Sequence, residues 1–291
     1  MKEKFKAYLM LLPAGIFFLI FIIIPLFYTF YLSFFDWNMI KVNKKFVGFD
    51  NYIELFKNPI FYRILINTFI YIIILLVLNF LLPYILAFIL GVIVKKFRNF
   101  YRASFFLPSL ISLVIGSVLY TWILNPVSGP IAIILKQFSM TLPIWSKTQG
   151  FVIVVISIIT TWKVFGYNFI VIMGAIAGID ESIIEAAKID GVSNFKLFKD
   201  IVLPASSATG IYIFIMTIVQ GLQYIFTPIK VITQGGPNYY SSSLIYHAYH
   251  EGFILYRTGV SSALSMVTMI IFVILLLLEF KFVERGIYYE N

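Results

Sequence analysis

Long runs without a charge, separated by short polar stretches, organise this chain. They cover about 8–34, 66–94, 103–125, 150–177, 205–230 and 259–279; Lys163 is the one charge inside a run, while Lys230 and Glu279 stand at the ends of the last two. A hydrocarbon layer about 30 Å thick takes about 20 apolar residues of helix, so every run is long enough to cross it. Barrel strands would alternate apolar and polar positions instead of forming solid runs, and backbone groups in lipid must be satisfied within their own segment. The pattern therefore predicts an all-α, polytopic membrane protein with six transmembrane helices, forming one transmembrane domain over residues 1–291. Pro13 and Pro25 predict kinks in the first span. That run is too long and uninterrupted for a cleaved signal peptide, so it is read as a permanent span.

Composition agrees: 61% hydrophobic, 31 Phe and 12% charged residues, with a mean hydropathy of +0.96, lie far outside the soluble range. The net charge of +9 is read as topogenic. With six spans, Lys2, Lys4, Lys6, Lys95, Lys96, Arg98, Arg102, Lys188, Lys196, Lys199, Lys281 and Arg285 fall on one side, which the positive-inside rule places in the cytoplasm with both termini. No basic stripe interleaves with exposed aromatics, so a nucleic-acid partner is not expected. The absence of cysteine excludes disulfides and thiolate chemistry. His247 and His250, with Glu251 beside them, read as a satisfied or solvated pair in an external loop, and no metal site is expected. No phosphate loop occurs, so a nucleotide that drives this protein is bound by another chain.

Residues 180–204 form an island of charge. Asp180, Glu181 and Ser182 supply acidic and capping groups for a helix that Gly191 stops. Ser193 caps a second helix, ended by Pro204. An interfacial amphipathic pair would look broadly similar, but the spacing Glu185-Ala186-Ala187-x-x-Asp190-Gly191, then Phe198, Ile201, Leu203 and Pro204, resembles the EAA loop of permease subunits of binding-protein-dependent ABC importers. "IIPLFYTFYLSFFDWN" and "FVGFDNYIELFKNPIFYRILINTFIY" resemble the opening of the maltose-transporter-type (MalF-type) first permease of carbohydrate importers, and "VITQGGPNYYSSSLIYHAYHEGF" with "GVSSALSM" its closing third. Nearly the whole chain is covered. It departs by lacking the large external domain and extra leading helices of the maltose permease, and by Asp180 where the family usually has Pro.

The resemblance implies a core permease region over 66–280 and a cytoplasmic coupling helix between the fourth and fifth spans. It implies a second homologous permease, two ATPase subunits that bind ATP and Mg, and an extracytoplasmic solute-binding protein delivering a sugar at a prokaryotic cell membrane. The chain itself would be a transport subunit with no cofactor and no catalytic residue. Glu185, Ala186, Ala187, Asp190 and Gly191 would dock on the ATPase, and Gly235, Gly236 and Pro237 would form an external turn near the binding protein.

The pathway is expected on polar stripes. Thr160, Lys163 and Tyr167 recur on the fourth span, and Thr217, Gln220, Tyr224 and Thr227 on the fifth. Interhelical hydrogen bonding is the competing use of such residues. Trp162, Tyr167 and Tyr224 suit sugar better than an inorganic ion, because rings stack on sugars and phenols hydrogen-bond them. Lys163 lies roughly 18 Å deep at about 1.5 Å per residue, where a charge costs about 2.5–3.5 kcal/mol. Two readings stay open for it: a lumen cation contacting substrate, or a partner for a carboxylate or carbonyls on the second permease. A non-sugar solute for the same importer class is the main alternative. A secondary transporter would need intramembrane carboxylates, and no acidic residue interrupts a run.

Overall fold

The computed structural model describes residues 2–94 and 97–283; Lys95, Lys96 and Arg285, read above as topogenic, lie outside them. Among the described residues five helices are long and apolar enough to cross a membrane: Leu9–Leu32, Pro59–Ile93, Phe151–Ala177, Ser207–Thr233 and Thr258–Leu278. A sixth crossing exists only if Arg98–Leu110 and Leu113–Ile123 are taken together, and these meet at 98°. The third span expected over 103–125 is thus broken. Pro108 sits in a 3-10 turn, Leu107–Leu110, and Ile111 and Ser112 turn extended, with ψ of 140° and 133°. Proline removes a donor and obstructs the preceding turn, which fits the change from α-helix to 3-10 winding at Leu107, just ahead of the break. Proline also marks π-wound turns: Leu19–Ile23 precedes Pro25, and Val77–Leu81 precedes Pro83.

Two compact units divide the chain, Met1–Tyr62 with His247–Phe272, and Arg63–Tyr246 with Val273–Asn291. In the first, the apolar side chains of the opening span are mostly exposed, as a lipid-facing helix requires. A two-residue antiparallel pairing follows, Phe35–Asp36 against Lys45–Phe46, then the helix Asp50–Lys57. Asn51 donates to the carbonyls of Ser33 at 2.8 Å and Phe35 at 3.1 Å. The Thr258 N–H donates to Trp37 O at 3.0 Å. Gly259 is needed beside them, because a Cβ there would lie 1.9 Å from the Phe35 carbonyl oxygen.

The fourth span, Phe151–Ala177, is the axis of the second unit. Ile156, Ile159, Phe169 and Ile172 are fully buried. Asn168 Nδ2 donates to Asn79 O at 2.6 Å and Thr217 Oγ1 at 3.1 Å, and Asn79 Nδ2 to Thr161 Oγ1 at 3.0 Å. Such bonds tie the second, fourth and fifth spans where apolar contact alone gives no preference between helix and lipid.

Candidate functional site

The fourth span seats the broken third one at three successive points. Gly166 permits contact with the first arm, since a Cβ there would lie 1.9 Å from Phe105 O and 2.8 Å from Phe106 Cα. Trp162 packs over Gly116 of the second arm, where an added Cβ would meet its ring at 2.9 Å, and meets Tyr120 edge-on at 5.6 Å. Lys163 sits between them at the break. Its ammonium donates to the carbonyls of Ser109 and, at 2.8 Å, Ile111. A helix that stops inside a membrane leaves carbonyls without partners, and a cation is the donor favoured at such an end.

Beside the break opens a cleft of about 320 Å³ lined by Ser109, Leu110, Lys163, Tyr167, Gln220 and Tyr224, among others. Four of the eight residues expected on the pathway therefore meet there: Lys163, Tyr167, Gln220 and Tyr224. The Tyr167 hydroxyl also lies 3.3 Å from that of Tyr212. Thr160 departs from the expectation, because it is buried and its hydroxyl donates to Ile156 O at 2.9 Å. Thr217 is buried as well and serves the interhelical cluster. Trp162 backs the elbow and does not line the cleft. For Lys163, expected to meet substrate or a carboxylate or carbonyls of the second permease, the structure shows two carbonyls of its own chain.

Between the fourth and fifth spans the charged loop folds as the helix pair expected. Asp180 Oδ1 accepts from the Ser182 N–H at 2.9 Å, starting the helix Glu181–Ile189, and that N–H holds its carboxyl below the usual range. At the other end Gly191 has φ +72°. Val192 N–H donates to Ala187 O at 3.0 Å and Gly191 N–H to Lys188 O at 3.1 Å, the paired bonds of a Schellman stop. Ser193 Oγ accepts from the Lys196 N–H at 3.4 Å and starts the next turn. Ile184, Ala187, Leu197 and Val202 anchor the pair to Phe88, Met173 and Ile176 in the core. Glu185, Ala186, Asp190 and Gly191 face outward, as do Ile183 and Ile189. Ala187 does not: it is buried against its own chain, so its small size serves internal packing. Lys188 donates to Val92 O at 3.2 Å, and Arg98 to Leu90 O at 3.3 Å and to Gly91 O. Cations thus cap the end of the second span.

Hydrogen bonds from three side chains hold the segment around Gly235-Gly236-Pro237. Gly236–Pro237 is cis, Ser241 Oγ donates to Gly236 O at 2.9 Å, and Arg63 and Asn67 donate to Asn238 O and Tyr239 O at 3.0 and 2.8 Å.

The histidines also depart from expectation. They lie on a helical segment, Leu244–Tyr249 running into the π-wound His250–Ile254, and His247 is buried. Burial, His250 and Arg257 depress the His247 imidazole to about 4, and burial raises the Glu251 carboxyl. Glu251 Oε1 lies 3.5 Å from His247 Nε2, its Oε2 lies 3.3 Å from Arg257, and Arg257 also pairs with Glu54.

Sequence reasoning missed the carbonyls of Ser109 and Ile111, because backbone acceptors have no residue signature; Pro108 inside an apolar run was the available sign. Gly166, Asn79 and Asn168 were equally visible as small or amide residues within apolar runs.

Comparison with known proteins matches residues 84–286 to the family described as binding-protein-dependent transport system inner membrane component. The probable ABC transporter permease protein YurN of Bacillus subtilis (strain 168) is 31% identical over 288 residues, covering 98% of both chains. The sn-glycerol-3-phosphate transport system permease protein UgpA of Pectobacterium atrosepticum is 28% identical over 291 residues, covering 99% of this chain and 97% of that one. In fold, the chain superposes with a TM-score of 0.83 and 24% identity on a chain of a bacterial ABC transporter involved in the import of the acidic polysaccharide alginate, covering 98% and 96% of the two chains. A family match over most of the chain, a relative of nearly the same length, and a shared fold of membrane helices agree: the chain belongs to the inner-membrane components of binding-protein-dependent transport systems.

Proposed function

We propose that the chain is one of two permeases of an ATP-driven importer and that its solute is a sugar or sugar derivative. The observation that carries the solute class is the cleft beside the elbow. One ammonium, two phenols and a carboxamide converge there beside Phe106, Ser109, Leu110 and Val164, which is the mix of hydrogen-bond donors and ring faces that a small hydroxylated molecule needs. Its volume of about 320 Å³ sits at the lower end of small-ligand sites, about 300–1,000 Å³. The UgpA relatives, named for sn-glycerol-3-phosphate transport, support a compact polyol skeleton.

In this reading residues 66–280 form the working permease core. Both termini and the loop 180–204 lie in the cytoplasm of a prokaryotic cell, and the turn at Gly235, Gly236 and Pro237 faces the solute-binding protein. ATP and Mg are held by the ATPase partners. Glu185, Ala186, Asp190 and Gly191 meet an ATPase through the outer face of the helix Glu181–Ile189, where Ile183 and Ile189 are bare, while buried Ala187 anchors that helix to the spans. A rigid helix so anchored carries ATPase closure into the span bundle.

The test is reconstitution with the second permease, the ATPases and the binding protein in proteoliposomes. Labelled sugars and sugar phosphates should enter only with ATP, and amino acids and short peptides should not. ATP-dependent uptake of a peptide or amino acid alone would replace the solute class, and uptake independent of ATP would overturn the importer reading.

A further inference from the structure

We propose that His247, His250 and Glu251 form a binding site for a single divalent transition-metal ion of the zinc class. Each side chain offers one ligand atom, and these atoms lie within 4.8 Å of one another. A tetrahedral ion with bonds of about 2.0–2.2 Å holds its ligand atoms roughly 3.4 Å apart. The His247 Nε2 to Glu251 Oε1 distance of 3.5 Å already matches that separation. His250 completes a two-imidazole, one-carboxylate set, which leaves a fourth position open for water or a further ligand.

The surroundings favour the ion over a plain hydrogen-bonded pair. Glu251 is oriented from behind, because its second oxygen faces Arg257 at 3.3 Å and Arg257 is itself paired with Glu54. Carboxylate ligands are commonly fixed by such outer partners. The adjoining hollow holds the carboxylates of Asp36, Asp50 and Glu54 against the single guanidinium of Arg257, so the local balance attracts a cation despite that arginine. The segment is π-wound from His250 to Ile254, a geometry that recurs where helices carry functional side chains. Imidazole with one carboxylate selects zinc, copper or nickel over magnesium or calcium.

The chain is well suited to a test, because it contains only two histidines and no cysteine, so ligand spectra and imidazole chemistry report on this place alone. The untagged full chain, purified in detergent, is dialysed against micromolar Zn²⁺ or Co²⁺, and bound metal is counted by mass spectrometry. The expected result is one ion per chain with the visible bands of four-coordinate Co²⁺. His250→Gln and Glu251→Gln should each weaken binding at least about tenfold, no less than loss of an outer partner does. Should a variant lose its folded elution profile, the wild-type chain decides instead: Zn²⁺ should slow acylation of its histidines by diethyl pyrocarbonate several-fold. Bound metal well below one per chain, unchanged binding in both variants, or imidazole reactivity indifferent to Zn²⁺ would overturn the site.

Discussion

Replacing Lys163 with Met removes the donor that serves two backbone carbonyls at the break in the third span, Ser109 and Ile111, while keeping an unbranched side chain of similar length. Each stranded acceptor costs about 1–3 kcal/mol, so the pair costs about 2–6 kcal/mol. Water entering the adjacent cleft can replace part of that bonding, which places the expected loss near 2 kcal/mol. Relief from removing a charge acts in the opposite direction. That effect is the smaller one, because Lys163 is half-buried and lines an open cleft instead of standing in hydrocarbon. At about 2–4 °C per kcal/mol, the scale for soluble chains of about 150–250 residues, the melting temperature should fall by about 4–8 °C. Lys163→Gln, which keeps one short donor, should fall between Met and wild type. The assay is thermal unfolding of the detergent-purified importer, read beside uptake. A Met variant that melts within about 1 °C of wild type would show that Lys163 does not hold the elbow.

Gly166→Ala should be more damaging than an ordinary alanine substitution: its Cβ meets backbone at 1.9 Å, and overpacking of this kind costs about 1–3 kcal/mol or more, measurable as lost melting temperature. Gly191→Ala should cost about 1–2 kcal/mol for a side chain at φ +72° and reduce uptake, whereas Gly191→Pro, which cannot adopt that angle, should abolish coupling in an insertion-competent protein, read as ATP hydrolysis without uptake. Glu185→Lys should reduce co-purification of the ATPases without changing insertion, because the side chain is exposed. Topology reporters fused after Asn194 and Lys281 should read cytoplasmic and one after Asn238 external; an external signal at Asn194 would reverse the orientation.

Much of this was legible in the chain because lipid imposes a coarse rule. The fourth span was expected over 150–177 and is found at Phe151–Ala177, and the last was expected over 259–279 and is found at Thr258–Leu278. The caps at Asp180, Gly191 and Ser193 were equally legible, since short polar side chains and glycine have local roles that tertiary packing seldom overrides. The third span failed because hydropathy does not register a bend: the run stays apolar through Pro108, while Ile111 and Ser112 turn extended at the elbow beside the cleft. The polar stripes failed in part for a related reason. Periodicity places Thr160, Lys163 and Tyr167 near one another, but only packing decides which of them faces a cleft, and Thr160 and Thr217 turned inward to bond within the bundle. Ala187 similarly shares its motif with Ala186, yet it is buried where Ala186 is exposed.

The helix Glu181–Ile189 is the element proposed to join this permease to an ATPase. Because the chain has no native cysteine, Ala186→Cys on the exposed face introduces a single thiol, which can be paired with single cysteines placed around the surface cleft of the ATPase subunit. Oxidation of the assembled importer should give a covalent permease–ATPase product that stops ATP-driven uptake, with reduction restoring it. Ala186→Cys that forms no product with any ATPase position, in an importer that still transports, would contradict the account.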